Sequence, residues 1–372
     1  MPALDDMAES RLEALDKQGL WRMPITTSPL EGMWVERGGR KLLSFSSNDY
    51  LGLSRQPDVL AAAQIALHLY GAGAGASRYV TGENPLYAEL EQQLCGMKQT
   101  EATCVFSSGY MATLGGVCAL MGKGDLILAD KLCHACMVDA AQLSGAKFIR
   151  FAHNDMQHLE QLLTKHREQY QHCLILSETV FSMDGDCAPL EAISELAKAH
   201  DAWVLSDDAH GLGVVESYPV DIQIGTLSKA AGSLGGYVCA SRAVIDLIKN
   251  TARNAIYTTA LPPATLAASL AALRIMVAQS DLGAKALGYA QQFSHAVGLA
   301  DAQSAIVPLI IGEAEAALQA SQTLAEAGYL VSAIRPPTVP QGTARLRFTF
   351  SALHTEEEVD ALITEVRRHG WH

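Results

Sequence analysis

Residues 222–237 read I-Q-I-G-T-L-S-K-A-A-G-S-L-G-G-Y, a short apolar run ending in a threonine that stands three positions ahead of a single lysine, Lys229. An amine held in a tight, desolvated pocket has its charged form disfavoured and its pKa lowered, which makes it a nucleophile toward aldehydes. Gly225, Gly232, Gly235 and Gly236 let the backbone close around something bulky and planar. A lysine in a glycine-rich turn is ordinarily a surface residue. The rest of the chain must therefore supply partners that give this one a task.

The apolar run before Lys229 belongs to a series. Segments 103–106, 126–129, 147–151, 173–178, 202–206, 222–226 and 236–240 read as buried strands, and amphipathic patterns such as 110–121, 159–168 and 190–200 lie between most of them. Strands alternating with helices predict an α/β domain built on a mostly parallel sheet covered on both faces. Ligands of such sheets collect at the carboxyl ends of the strands. Pro262-Pro263 breaks the pattern ahead of an alanine-rich helix, and the remainder mixes helices with short strands. The expected division is an N-terminal segment (1–53) packing on a smaller C-terminal α/β domain (266–372), with the large domain at 54–265.

At 372 residues and 49% hydrophobic, the chain is long enough for a large core. With 27 basic against 40 acidic residues, its net charge of -13 argues against nucleic acid and against a polybasic membrane contact. The partners expected are small molecules. The acidic, charge-punctuated first 20 residues are not built like a signal peptide, and the 8 cysteines show no disulfide spacing, so a cytosolic (cytoplasmic) protein with reduced thiols is expected. Cys133 and Cys136 flank His134 in a C-x-x-C, but no second ligand pair accompanies them and no metal is expected. The glycine-alanine run 71–76 follows a helical pattern rather than a strand, which argues against a dinucleotide fingerprint.

Polar residues gather at the strand ends. Asp207-Asp208-Ala209-His210 follows one strand, and a buried sheet tolerates such groups only with partners. Ser107-Ser108-Gly109-Tyr110 leads from another strand into a helix start, where free N–H groups favour an anion such as phosphate. Asp130 to His134 and Ser177 to Asp186 follow two more. Pyridoxal 5'-phosphate requires an amine to carry it, an acid at its ring nitrogen, a flat partner and a phosphate cradle. Lys229, Asp207, His134, and Gly109-Tyr110 with Thr226 offer one of each.

The segments S-F-S-S-N-D-Y-L-G-L (44–53), F-S-S-G-Y-M-A (106–112), E-T-V-F-S-M-D-G-D-C-A-P-L (178–190), D-D-A-H-G-L-G (207–213), T-L-S-K (226–229), Y-T-T-A-L-P-P (257–263) and R-P-P-T-V-P-Q-G-T-A-R-L-R (335–347) resemble those of the α-oxoamine synthases. These are pyridoxal-phosphate enzymes of fold type I, and the resemblance covers nearly the whole chain. It implies that Lys229 carries the cofactor and later moves a proton, that Asp207 pairs with the ring nitrogen, and that His210 bonds the phenolic oxygen. It further implies that His134 stacks on the ring, that Ser182 lies beside it, and that Gly109, Tyr110 and Thr226 hold the phosphate, joined by Thr258 or Thr259 from the second subunit of a homodimer with shared active sites. Asn48 and Arg347 are implied for the amino-acid carboxylate, and Arg22, Arg335, Thr338 and His134 for substrate contacts.

Within the family, R-P-P-T-V-P points to condensation of L-alanine with a pimeloyl thioester, carried by coenzyme A or acyl carrier protein. The chain departs from the family pattern at Tyr87, where many relatives have histidine, and at Leu227-Ser228 before the lysine. Sister enzymes using glycine or serine, a transaminase or aldolase of the same fold, and a non-catalytic cofactor-binding scaffold are the competing readings. The intact lysine, aspartate and two histidines argue against the scaffold.

Overall fold

The seven apolar runs become the strands of one sheet in the computed structural model, which describes residues 3–371: β1 (Ala102–Phe106), β2 (Leu126–Asp130), β3 (Lys147–Phe151), β4 (Cys173–Glu178), β5 (Trp203–Asp207), β6 (Ile222–Thr226) and β7 (Gly236–Ala240). Their order across the sheet is β1-β7-β6-β5-β4-β2-β3. Neighbours from β6 to β3 are parallel, whereas β7 runs antiparallel to both β1 and β6. Strands β1, β2, β4, β6 and β7 are buried along their whole length. Helices cover both faces, which is why these strands read as continuous apolar runs rather than alternating ones. On one face Gly109–Leu120, Ala135–Ser144 and Arg242–Thr251 pack through Ala112, Val117, Met137, Ala140 and Ile245; on the other, Met156–His166 and Leu190–Ala199 pack through Leu159, Leu163 and Ile193.

Register brings the strand ends that carry polar groups into one row. Glu178 lies beside Asp207, and Gly236 lies between Phe106 and Thr226. Gly236 is required there, because a Cβ would sit 2.2 Å from the carbonyl oxygen of Ser108.

A second, antiparallel sheet of Ile306–Gly312, Ala344–Thr349 and Ser332–Ile334 packs with Asp281–Ala296, Ala314–Glu326 and Glu356–Arg368. The N-terminal strands join this region. Tyr329–Leu330 pairs in parallel with Arg40–Ser44, and Phe45 exchanges backbone hydrogen bonds with Leu330 and Thr349 at 2.9 Å each. The helix Pro263–Ala278 packs instead against Pro57–Tyr70 and Pro85–Lys98. Among the described residues, no helix is long and apolar enough to cross a membrane.

His354 shows how polar groups are accommodated in this second core. Its ring stacks on Phe45 at 4.2 Å and is fully buried. Nδ1 accepts the Ser351 N–H at 3.0 Å and Nε2–H donates to the Ser44 carbonyl at 3.1 Å, so only the neutral ring satisfies both contacts. Burial lowers its pKa from 6.5 to about 4. The unfolded chain therefore takes up this proton first. The stabilisation is fully present above about pH 6.5 and is lost as pH falls toward 4, by up to about 3 kcal/mol. Thermal unfolding between pH 7 and 4.5 should show a decline in melting temperature that is shallower in a His354→Asn variant; equal slopes would remove His354 as its source.

Candidate active site

Four carboxyl-end positions of the sheet and one helix start enclose a cavity of about 190 Å³. It is lined by Ser108, Gly109, Tyr110, His134, Cys136, Glu178, Asp207, Ala209, His210, Thr226, Ser228 and Lys229. The sequence reading and the structure thus bring Lys229, Asp207, His134, His210, Gly109, Tyr110 and Thr226 to one place.

Lys229 follows β6 in a tight turn closed by Gly232 N–H to the Lys229 carbonyl at 2.8 Å. Its Nζ lies 2.7 Å from His210 Nε2. His210 Nδ1 lies 2.6 Å from the Tyr50 hydroxyl, and that hydroxyl donates to Asn48 Oδ1 at 3.1 Å. Arg347 also donates to Asn48 Oδ1, at 3.3 Å. One assignment completes this chain: Lys229 donates to Nε2, a neutral His210 donates from Nδ1 to the Tyr50 oxygen, and Tyr50 passes its proton toward Asn48. Burial pushes the His210 pKa well below 6.5, with the charges of Lys229 and Arg347 adding to the effect. Burial likewise lowers Lys229 below 10.5, and the charges of Asp207 and Glu178 offset this only in part.

Asp207 ends β5, buried, and accepts the Ala209 N–H at 2.9 Å. Burial raises its carboxyl above 3.8 against the pull of Lys229. His134 caps the helix Ala135–Ser144. Its Nδ1 accepts the Cys136 N–H at 3.2 Å and lies 2.9 Å from the Cys136 thiol, and burial lowers its pKa. With Nδ1 an acceptor, the neutral ring carries its proton on Nε2. The His134 N–H is fixed by Glu178 Oε1 at 2.6 Å, and burial, with the nearby Asp207 charge, holds that carboxyl well above 4.5.

The helix start opposite is shaped for an anion. Ser108 caps it by accepting the Met111 N–H at 3.2 Å. At Gly109 a Cβ would lie 3.0 Å from the Thr226 Cβ, so the glycine lets the helix start, with its free N–H groups, sit close against the end of β6. Thr226 Oγ1 bonds the Gly235 carbonyl at 2.9 Å and meets Ser228 Oγ at 2.8 Å. Tyr110 presents its edge to His134 and gives its hydroxyl to Asp139.

Other expected site residues lie apart from this cavity. Ser182 is buried and offers its carbonyl, which accepts from Arg347 Nε at 2.6 Å. Arg22, Arg335 and Thr338 line a separate cavity of about 250 Å³, where Arg335 donates to the Gly19 carbonyl at 3.1 Å. Thr258 and Thr259 do not line the central cavity within this chain; Thr259 instead forms a β-bridge with Ser77. Tyr87 is buried, with Arg78 over its ring at 3.9 Å and its hydroxyl accepting the Leu261 N–H at 2.8 Å. The sequence reading missed Tyr50, Glu178, Cys136 and Ser108 as parts of the site. Tyr50 and Glu178 stood inside segments already singled out, but their contacts cross long stretches of chain.

The family model for aminotransferases of class I and II matches residues 40–366. An 8-amino-7-oxononanoate synthase from Methylobacterium nodulans is 56% identical over 362 residues, covering 97% of this chain and 96% of its own. Among solved structures, a serine palmitoyltransferase from Sphingomonas wittichii matches with a TM-score of 0.91 at 31% identity, covering 98% of this chain and 96% of its own. A serine palmitoyltransferase with PLP as an internal aldimine matches with a TM-score of 0.92 at 28% identity, covering 100% of this chain and 98% of its own.

Replacing Tyr50 by phenylalanine leaves the His210 Nδ1–H buried without an acceptor. Urea unfolding should show a loss of about 1–3 kcal/mol; unchanged stability would mean that the proton arrangement assigned above is wrong.

Proposed function

The chain belongs to the class I and II aminotransferase family, and from that membership we infer that it is a pyridoxal-phosphate-dependent α-oxoamine synthase. It condenses L-alanine with a pimeloyl thioester to give 8-amino-7-oxononanoate in biotin biosynthesis. The observation that carries this reading is the convergence of Lys229, Asp207, His134 and His210 on one cavity, in a chain 56% identical to an 8-amino-7-oxononanoate synthase.

The residues present fit the cofactor. Gly109 leaves the helix N-terminus free for a phosphate, and a buried carboxylate, an amine of lowered pKa and a neutral imidazole face the same space. When bound, pyridoxal phosphate supplies an aldehyde for an amine and a protonated ring that accepts the electron pair left at the amino acid's Cα.

Lys229 would hold the cofactor, and its lowered pKa makes the free amine available as a base for the Cα proton. Asp207 would pair with the ring nitrogen, and His210, with its tautomer set by Tyr50, would bond the phenolic oxygen. Gly109, Tyr110, Ser108 and Thr226 would hold the phosphate. His134 would offer Nε2–H to the oxygen on which charge builds as Cα attacks the thioester carbonyl and the thiol departs. Arg347 and Asn48 bind the alanine carboxylate until it leaves as carbon dioxide, after which Lys229 returns a proton to Cα. Arg22, Arg335 and Thr338 line the cavity assigned to the acyl chain.

Thr258 or Thr259 completes the phosphate site of a second subunit. Tyr79, Val80, Leu234 and Tyr257 support such a contact, as large apolar side chains that are 49%, 74%, 48% and 74% exposed.

The serine palmitoyltransferase neighbours favour a second reading in which serine replaces alanine, at 31% identity against 56%. Thiol release from pimeloyl-CoA with alanine, glycine or serine separates the two, and alanine should give the highest kcat/KM. A preference for serine or glycine would overturn the alanine assignment. Lys229→Ala should lower turnover by at least about a thousandfold and abolish the visible band of bound cofactor; retained turnover would sink the mechanism.

A further inference from the structure

A histidine outside the cavity joins the two sides of the site. His153, just beyond β3, places Nδ1 3.0 Å from Asp130 Oδ1 and Nε2 2.8 Å from Asp186 Oδ2. A neutral imidazole has one N–H, so it would turn a lone pair toward one of these carboxylates; the charged ring donates to both. The two contacts raise the His153 pKa to about 10 although burial opposes them. Phe181 meets the ring edge-on at 4.4 Å. Asn154, in left-handed backbone at φ 51°, donates its N–H to Asp130 Oδ2 at 2.8 Å and its side-chain amide to Asp186 Oδ2 at 2.9 Å. Asp186 Oδ1 is buried and has no partner, so its charge is met at one oxygen only.

Both carboxylates lead to the site. Asp130 Oδ1 also accepts the Leu132 N–H at 2.8 Å, anchoring the turn that delivers His134. Asp186 closes the loop 181–186, where Phe181 N–H donates to the Asp186 carbonyl at 2.9 Å. On its other side that loop is held by the second domain. Arg345 bonds Asp184 at 2.6 Å and the Met183 carbonyl at 3.2 Å, Ser304 bonds the Gly185 carbonyl at 2.7 Å, and Arg347 Nε bonds the Ser182 carbonyl at 2.6 Å.

We propose that His153, as an imidazolium shared by Asp130 and Asp186, is a positioning residue that fixes the loop 181–186 against the large sheet, so that the Ser182 carbonyl aims Arg347 at the carboxylate of the amino-acid substrate. This rests on the reading of Arg347 as the carboxylate-binding group. His153 touches neither substrate nor cofactor.

The test uses the cofactor-loaded protein and its variants His153→Gln, Asp186→Asn and the two combined. L-Alanine affinity is read from the absorbance change of the bound cofactor, cofactor content is measured separately, and kcat is taken at saturating alanine. His153→Gln should weaken alanine binding about tenfold while kcat and cofactor content stay within about twofold. The double variant removes both ends of one bridge, so its loss should match that of His153→Gln rather than the sum of the two single losses. Unchanged alanine affinity in His153→Gln, a parallel loss of cofactor, or fully additive losses in the double variant would overturn the proposal. If His153→Gln does not fold, Asp186→Asn alone carries the test, with a weakened alanine affinity at normal cofactor content expected and an unchanged one overturning it. Should the unaltered protein bind glycine or serine but not alanine, the substrate assignment fails, and the same series with that amino acid decides the role of His153.

Discussion

The inner end of the central cavity depends on burial: Asp207, Glu178 and His210 are buried and Lys229 half-buried, whereas His134, Tyr110 and Ser228 face the open side. Lys229 and His210 share one short contact, and burial acts on both in the same direction, disfavouring a charge on either. A base can be kept unprotonated in this way only if the neighbouring negative charge is limited. The nearest carboxyls, Asp207 and Glu178, are themselves pushed up by burial. Helices on both sheet faces and the close approach of Gly236 to Ser108 pack the protein around that inner end.

Much of the fold was legible because both faces of the large sheet are covered. The predicted runs at 147–151, 173–178, 222–226 and 236–240 match the strands residue for residue. Hydropathy carries no direction, however, and nothing in the run 236–240 distinguishes the antiparallel β7 from its parallel neighbours. In the site, the legible residues were those at strand ends, where a polar group after an apolar run stands out: Asp207, His210, Lys229 and Thr226. Tyr50 was not legible as a partner of His210, because their contact spans 160 positions and arises only when the N-terminal segment folds back. Glu178 was noticed as a strand end, but its service to the His134 backbone depends on the sheet order placing β4 next to β2.

The strand Ala344–Thr349 shows how a period of two divides labour. Leu346 and Phe348 enter the core beneath the antiparallel sheet, while Arg345 and Arg347, on the opposite face, reach the loop after β4. Two buried guanidiniums are costly unless each finds acceptors, and part of that need is met by the loop after β4, through Asp184 and the Met183 carbonyl for Arg345 and the Ser182 carbonyl for Arg347. These contacts tie the strand Ala344–Thr349 to the loop that follows β4 of the large sheet.

The position of β7 has a consequence for synthesis. β1 is an edge strand whose only neighbour is β7, so the segment made first in the large sheet has no partner until residues 236–240 have emerged. At about 5–20 residues per second, that wait lasts roughly 7 to 26 seconds. The turn at Ser108-Gly109, which β7 presses into place, is then among the last parts of the sheet to be assembled on the ribosome. A nascent chain stopped short of Gly236 has the lysine but no cradle opposite it.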